Sequence, residues 1–146
     1  MIRVEWVVLA NAASALVMTG VIWFVQVVHY PLLAIVPVEN ARTVAGEHQT
    51  RTAWVVGAPM GVEGVTTLWL MLDRPVGVPW QLAWAGGVCV AVALLCTVAL
   101  SVPRHSRMAE NPDGKVGREL VLTNWPRTVA WSMHGIIGAA MLLHVM

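Results

Sequence analysis

Charge is the property that this sequence lacks most. Charged residues make up only 12% of the 146 residues, whereas a soluble domain typically carries about 25%. So little charge cannot cover a surface that faces water, and it leaves no basic face for nucleic acid. We therefore exclude a soluble globular enzyme, a disordered chain and a nucleic-acid-binding protein.

Cysteine and the common catalytic motifs are also scarce. The 2 cysteines are Cys89 and Cys96, which one helix would hold about 10 Å apart, beyond the reach of a disulfide bond. We interpret both as small apolar residues of the interior. The sequence contains no HExxH, GxxxxGK[ST] or GxSxG motif, which excludes the corresponding zinc, nucleotide and serine-nucleophile sites.

Long apolar runs are what the sequence has instead. A transmembrane helix needs about 20 mostly apolar residues, and several runs meet this requirement. They predict spans at about residues 6–30, 50–72, 80–102 and 122–145. We expect a single domain, residues 1–146, with the all-α fold of an integral membrane antiparallel four-helix bundle.

Prolines and polar residues mark the predicted helix ends. Pro31 and Pro37 are expected to end the first helix, and Pro103 the third, because proline lacks the N–H group that a helix interior needs. Asn40 is a favourable N-cap for the second helix. The fourth helix is predicted to begin near Arg118.

The basic residues predict the orientation in the membrane. Of the 9 Lys and Arg residues, only Arg3 and Arg74 fall on the side that carries both termini. Cytoplasmic loops normally hold the excess of Lys and Arg. We therefore predict a multi-pass protein of the inner (plasma) membrane, with both termini on the non-cytoplasmic side.

Polar side chains within the apolar runs indicate a site. Such residues usually face the interior of a helix bundle and often mark function. Helical spacing places them in stripes, which meet at the cytoplasmic level of the predicted bundle. The residues that converge there are His29, His48, Arg51, His105, Asn124 and Arg127. The alternative is that they only extend from helix ends toward water.

The residue types at this level suggest roles. Histidine transfers protons near neutral pH, so we predict His29 and His48 as catalytic residues. Together with His105 they are also candidate ligands of a transition metal or haem, and the identity of any cofactor stays open. Arginine holds carboxylate or phosphate groups. The residues predicted to bind a ligand are Gln26, Tyr30, Arg51, Asn124 and Arg127.

Glu63 is a third catalytic candidate. It lies near the midplane of the second predicted span, where a carboxylate has no water to solvate it. His134 lies at a similar depth in the fourth span, so the two side chains could share a proton or ligate a metal. Alternatively, Glu63 is uncharged and donates a hydrogen bond to a backbone carbonyl freed by Pro59.

Short motifs contain most of these residues: Gln26-x-x-His29-Tyr30-Pro31, Glu47-His48-x-x-Arg51, Pro59-Met60-x-x-Glu63, Pro103-x-His105 and Asn124-Trp125-x-Arg127-Thr128. Together they resemble a widespread group of small bacterial four-helix membrane proteins. That group is distantly similar to the anthrone-oxygenase-like family, whose fungal members are implicated in oxidising polyketide anthrones. The resemblance points to His29, His48, Glu63, Asn124 and Arg127 as site residues.

A looser similarity links the chain to the membrane-bound protoporphyrinogen oxidases. These are also small helical bundles, with a Tyr/Pro-ended early helix and an Arg-rich start to the next helix. The similarity implies a haem-binding oxidoreductase. However, Asn11 stands in the neighbourhood of the histidine that this family carries in its first helix.

Two functions from different classes follow from the sequence. The first is an oxidoreductase-like or ligand-binding protein that acts on a lipophilic small molecule in the His/Arg pocket. The second is a non-catalytic subunit or assembly factor of a larger membrane complex, or a homo-oligomer. Glycine-rich faces suit either close internal packing or a partner helix: they contain Gly57, Gly61, Gly64, Gly135 and Gly138.

Overall fold

A computed structural model of the chain describes residues 4–113 and 115–146, so Arg3, which entered the charge count, lies outside the described residues. All regular secondary structure in the described part is helical. Helix α1 covers residues 4–33, α2 is Val38–Leu72, and α3 is Trp80–Glu110. A fourth helix has two parts, α4 (Val116–Thr123) and α5 (Trp125–Leu143), which meet at Asn124.

Among the described residues, three helices are long and apolar enough to cross a membrane: Glu5–Leu33 in α1, Val38–Leu72 in α2 and Trp80–Glu110 in α3. The all-helical, membrane-type architecture expected from the sequence is therefore confirmed. Helix α5 is not among the three, so the predicted fourth span at about 122–145 stays a prediction.

The predicted proline stops are wrong at Pro31 and Pro103. Helix α1 runs through Pro31 to Leu33, and α3 runs through Pro103 to Glu110. In each helix a π-helical turn comes just before the proline: Val25–His29 in α1 and Thr97–Ser101 in α3. A π turn inserts one residue and changes the hydrogen-bond register, so the helix continues although proline offers no N–H.

The predicted N-cap of the second helix is also wrong. Helix α2 begins at Val38, directly after Pro37, whose φ of −55° and ψ of 142° are extended. Asn40 therefore lies inside the first turn instead of preceding it. Pro37 stops the backbone from entering the helix any earlier, and this outweighs the capping preference of asparagine.

Helices α1 and α5 pack closely at two glycines. A Cβ atom added at Gly138 would lie 3.1 Å from Ala12 Cα, and one at Gly135 would lie 2.8 Å from Thr19 Oγ1. These glycines thus allow the two backbones to approach closely. By contrast, the glycines of the α2 face have no atom within 4 Å of an added Cβ: Gly57, Gly61 and Gly64.

Hydrogen bonds fix which ends of the helices meet. Asn11, early in α1, donates to Thr66 Oγ1 at 3.0 Å and to Thr67 Oγ1 at 2.9 Å, late in α2. At the other end of α1, Gln26 Oε1 accepts from Asn124 Nδ2 at 2.9 Å, next to the start of α5. The side chains of α1 thus hold both neighbours in register.

The connection between α3 and α4 is held by polar contacts. Asp113 Oδ1 accepts hydrogen bonds from the backbone N–H groups of Lys115 and Val116 at 2.8 and 2.9 Å. These two bonds lower the pKa of the Asp113 carboxyl. Arg107 also donates to Glu119 Oε1 at 3.0 Å, which ties the end of α3 to α4.

Candidate functional site

A cavity of about 270 Å³ lies between α1, α2, α3 and the start of α5. Both π-helical turns contribute to its wall, and such turns occur frequently at functional sites. The apolar lining consists of Met18, Val21, Ile22, Val25, Ala53, Val56, Met60 and Val102. The polar lining consists of Tyr30, His48, Gln49, Thr52, Thr97, Ser101, His105 and Arg127.

Three histidines from three helices meet beside this cavity, as the sequence predicted. His29 Nε2 lies 2.7 Å from His48 Nδ1, and the two rings stack with centroids 4.3 Å apart. The ring of His105 lies 4.8 Å from that of His48. Tyr30 Oη lies 2.9 Å from His105 Nε2. We call Tyr30, His48, His105 and Arg127 the cavity cluster.

The histidines are not arranged as a metal-binding group. Within residues 4–113 and 115–146, no set of three or more His, Cys, Asp and Glu side chains is placed to hold a metal ion. His29 and His48 direct ring nitrogens at each other, and Tyr30 engages one nitrogen of His105. The candidate ligands His29, His48 and His105 are thus brought together without a shared coordination point.

Arg127 places a cation at the cavity wall. Its Nη1 donates to Ser101 Oγ at 2.7 Å and to Asn124 Oδ1 at 3.1 Å. Its guanidinium lies over the Trp131 ring, 5.2 Å from the centroid, a favourable cation–π position. Its Nε atom is buried without a hydrogen-bond partner. Among the ion pairs of the described residues, none joins Arg127 to a carboxylate.

Gln26 and Asn124 support Arg127 from behind and do not line the cavity. Gln26 Oε1 accepts from Asn124 Nδ2 at 2.9 Å and from Thr128 Oγ1 at 3.3 Å, and Gln26 Nε2 donates to Val121 O at 3.1 Å. Since Asn124 Oδ1 accepts from Arg127, this network fixes the position of the guanidinium. Gln26 and Asn124, two of the residues predicted to bind a ligand, therefore lie one layer of side chains away from the cavity.

Arg51 lies outside the cavity. Its side chain is 80% exposed, and its Nε donates to Glu47 Oε2 at 2.9 Å, one helical turn earlier. It lines a separate groove on the outer face of α1 and α2, together with His29. The predicted pair of arginines around one anionic group is thus not formed, because only Arg127 lines the cavity.

Glu63 belongs to a second polar group, also away from the cavity lining. Its Oε2 accepts from Trp131 Nε1 at 2.9 Å, and its Oε1 lies 3.6 Å from His134 Nε2. His134 Nδ1 lies 3.1 Å from the carbonyl oxygen of Gly86. The side chains of Glu63, Trp131 and His134 are at most 2% exposed. We call these three side chains and the Gly86 carbonyl the closed cluster.

Some lining residues were missed by the sequence reasoning. Ser101 and Thr97 are polar residues one helical turn apart in an otherwise apolar run, and both line the cavity. Their position just before Pro103 was the available signal. Gln49 was also missed; its Nε2 donates to His105 O at 3.2 Å.

Comparison of the chain with models of protein families, with curated proteins and with solved structures gives no match.

Proposed function

We propose that this membrane protein binds a lipophilic small molecule that carries an anionic group, in the cavity beside Arg127. The observation that carries the proposal is a partly buried guanidinium at the wall of a mostly apolar cavity, whose buried Nε has no hydrogen-bond partner and with which no carboxylate of the described residues pairs. A cation removed from water is costly unless it is paired. A carboxylate or a similar group on a ligand would supply the pair, and the planar fork of arginine suits it.

The remaining lining supports an apolar body for this ligand. Met18, Ile22 and Met60 line the cavity, and methionine adapts to ligand shape and makes favourable contacts with aromatic rings. The volume of about 270 Å³ lies near the lower end of the roughly 300–1,000 Å³ of ordinary ligand sites. A molecule the size of one acyl chain or of a flat ring system suits this space better than a whole phospholipid with its two chains.

The polar residues favour proton transfer to and from that molecule, which is the part of an oxidoreductase-like reaction that these side chains can supply. Tyr30, His48 and His105 offer proton donors and acceptors next to the guanidinium, and such groups serve as general acids and bases. We therefore propose His48 and the Tyr30–His105 pair as the acid–base residues. The resemblance to the anthrone-oxygenase-like family agrees with a flat, lipophilic substrate.

We propose an antiparallel bundle in the inner membrane, with both termini on the non-cytoplasmic side. The bonds from Asn11 to Thr66 and Thr67, and from Gln26 to Asn124, support opposite directions for α1 and its neighbours. A reporter at the C-terminus that works only in the cytoplasm should then be inactive. Activity of that reporter would reverse the topology.

The experiment on binding uses cis-parinaric acid, a fluorescent fatty acid, and its methyl ester as the uncharged control. The protein is purified in detergent, and energy transfer from its tryptophans to the bound probe is used to measure the Kd. Charge-assisted hydrogen bonds contribute about 1.5–3 kcal/mol, so Arg127→Gln should weaken binding of the acid about tenfold or more. Binding of the ester should be unchanged.

Arg51→Gln is the matched control, because it removes an arginine of the same region that lies outside the cavity. It should leave the Kd of the acid unchanged. Equal binding of the acid to Arg127→Gln and to the unchanged protein would contradict the proposal. So would an ester that binds the unchanged protein as tightly as the acid.

A second candidate function is that of a non-catalytic subunit in a larger membrane complex or homo-oligomer. The observation that favours it is the open glycine face of α2, where Gly57 and Gly61 are exposed and have no atom within 4 Å of an added Cβ. Small residues at such spacing let a second helix approach. Gly61→Leu should then reduce the size of the particle in mild detergent without changing the Kd of parinaric acid.

A further inference from the structure

A groove of about 260 Å³ lies on the outer face of the seam between α1 and α2. Four of its lining residues also line the inner cavity: Val21, Val25, His48 and Thr52. A single layer of side chains thus separates the two spaces.

We propose that the ligand enters the cavity laterally from the bilayer, between α1 and α2. The His29–His48 contact closes this entrance when no ligand passes. The inference rests on the proposed function and adds the route of its ligand. His29 lines only the groove, while His48 lines both spaces. Their hydrogen bond of 2.7 Å joins the two helices where the layer is thinnest.

The outer side of the groove carries exposed apolar side chains next to the exposed Arg51. Phe24 and Val55 line it and are each 58% exposed, and the neighbouring Trp54 is 82% exposed. Exposed apolar side chains on a membrane helix contact acyl chains, where a lipophilic ligand is most concentrated. The groove therefore lies in the compartment from which such a ligand would arrive.

Few side-chain hydrogen bonds join α1 and α2 along this seam. Among the described residues, the side-chain hydrogen bonds between α1 and α2 are those of Asn11 with Thr66 and Thr67, and that of His29 with His48. The side chains that line the seam between these bonds are largely apolar, such as Val21 and Val25. Breaking the His29–His48 bond would thus remove the polar contact across the groove, while Tyr30 and Leu33 of α1 stay packed in one apolar cluster with Ala41 and Ala45 of α2.

Helix α2 also contains a proline near the cavity. Pro59 lies inside α2 and provides no N–H for the helix, and proline at such a position bends or kinks a helix. Met60, the next residue, lines the cavity. Pro59 thus lies between the two sets of polar contacts that join α2 to α1, at the point where the missing hydrogen bond makes the helix easiest to bend.

The experiment places a removable block in the groove and leaves the cavity lining unchanged. In a Cys89→Ala, Cys96→Ala background, Val55→Cys is modified with benzyl methanethiosulfonate, which adds a benzyl group through a disulfide. Val55 lines the groove and not the cavity. The matched control is Val129→Cys on α5, which is 57% exposed, nearly as much as Val55, and lines neither space.

The measurement is the rate at which cis-parinaric acid, preloaded in vesicles, gains energy transfer after mixing with proteoliposomes. The adduct at Val55→Cys should slow this rate about tenfold, since access would now require a rearrangement, and should leave the Kd unchanged. A reductant should restore the rate. The adduct at Val129→Cys should have no effect, and His29→Ala should increase the rate.

The outcomes separate the entrance from the function. Normal Kd and an unchanged rate with the Val55→Cys adduct would refute the lateral entrance while the proposed binding stands. A slower rate with the Val129→Cys adduct as well would show a general effect of the reagent and also refute it. No binding of parinaric acid to the unmodified protein would refute the proposed function, and the entrance with it.

Discussion

The cavity cluster and the closed cluster differ in where their unpartnered polar atoms lie. In the closed cluster, the unpartnered Glu63 Oε1 and His134 Nε2 face each other at 3.6 Å. In the cavity cluster, the unpartnered Arg127 Nε and His105 Nδ1 belong to side chains beside an open space. Buried polar atoms without a partner can therefore lie opposite each other or beside a space that a ligand can fill. Only their arrangement distinguishes the two cases.

Hydrogen-bond chemistry restricts where the protons of the closed cluster can lie. The Gly86 carbonyl can only accept, so His134 Nδ1, 3.1 Å away, must donate its proton to it. In a neutral imidazole His134 Nε2 is then an acceptor, and a protonated Glu63, whose Oε1 lies 3.6 Å away, would complement it by moving slightly closer. The other arrangement, an imidazolium and a carboxylate, contains the same single proton. The pair is neutral overall in both.

The largest expected effect on stability comes from removing the carboxyl group of the closed cluster. Glu63→Ala leaves the Trp131 N–H and His134 Nε2 without their acceptor or donor in a site that is closed to water. Breaking a buried pair in this way costs about 3–5 kcal/mol. We expect a strong decrease of the unfolding free energy, measured by denaturant titration in detergent. Wild-type stability of this variant would mean that the cluster is not structural.

Gly86→Ala should have the next largest effect, through the same cluster. The added Cβ would lie 3.2 Å from His134 Cε1 and Nδ1, so the imidazole must move away from the carbonyl that it contacts. Overpacking of this kind costs about 1–3 kcal/mol. Gly61→Ala is the control, since nothing lies within 4 Å of its added Cβ. Equal stability of the two variants would remove the argument that His134 is tightly held.

The sequence predicted which residues converge better than how they are arranged. The depth of a residue follows from the constant rise of a helix, so the level shared by His29, His48 and Arg127 could be derived. The π-helical turns could not, because they depend on how each helix accommodates its proline. The turn at Thr97–Ser101 changes the register before His105, and straight-helix reasoning left the direction of that residue undefined.

The closed cluster shows the same division. The common depth of Glu63 and His134 was predictable, but at 100° per residue a straight helix places His134 about 80° away from the face that carries Asn124, Thr128 and Trp131. The long imidazole and the Gly86 carbonyl on α3 bring its Nε2 toward Glu63. The cavity itself was beyond sequence reasoning, since its walls come from three helices and α5 and from how closely they pack.

A smaller effect on stability, with a large effect on binding, is expected in the cavity cluster. His48 lies beside open space, so His48→Ala leaves no stranded charge and should change the unfolding free energy by about 1 kcal/mol or less. Parinaric acid should nevertheless bind more weakly, because the ring that borders its site is gone. Denaturant titration and the energy-transfer Kd test both parts. Failure of the variant to accumulate in the membrane would make His48 structural, like Glu63.

The smallest effect should come from Glu63→Gln. If Glu63 is protonated and donates to His134 Nε2, glutamine reproduces its contacts: its oxygen accepts from Trp131, and its amide N–H donates to His134. The unfolding free energy should then change by about 1 kcal/mol or less. Infrared spectra should show a protonated carboxyl stretch that is present in the unchanged protein and missing in the variant. A carboxylate band at neutral pH, with a marked loss of stability in Glu63→Gln, would instead assign the shared proton to His134. The closed cluster would then be a buried ion pair, and since an amide cannot balance an imidazolium, the comparison of Gln with Ala distinguishes these two arrangements.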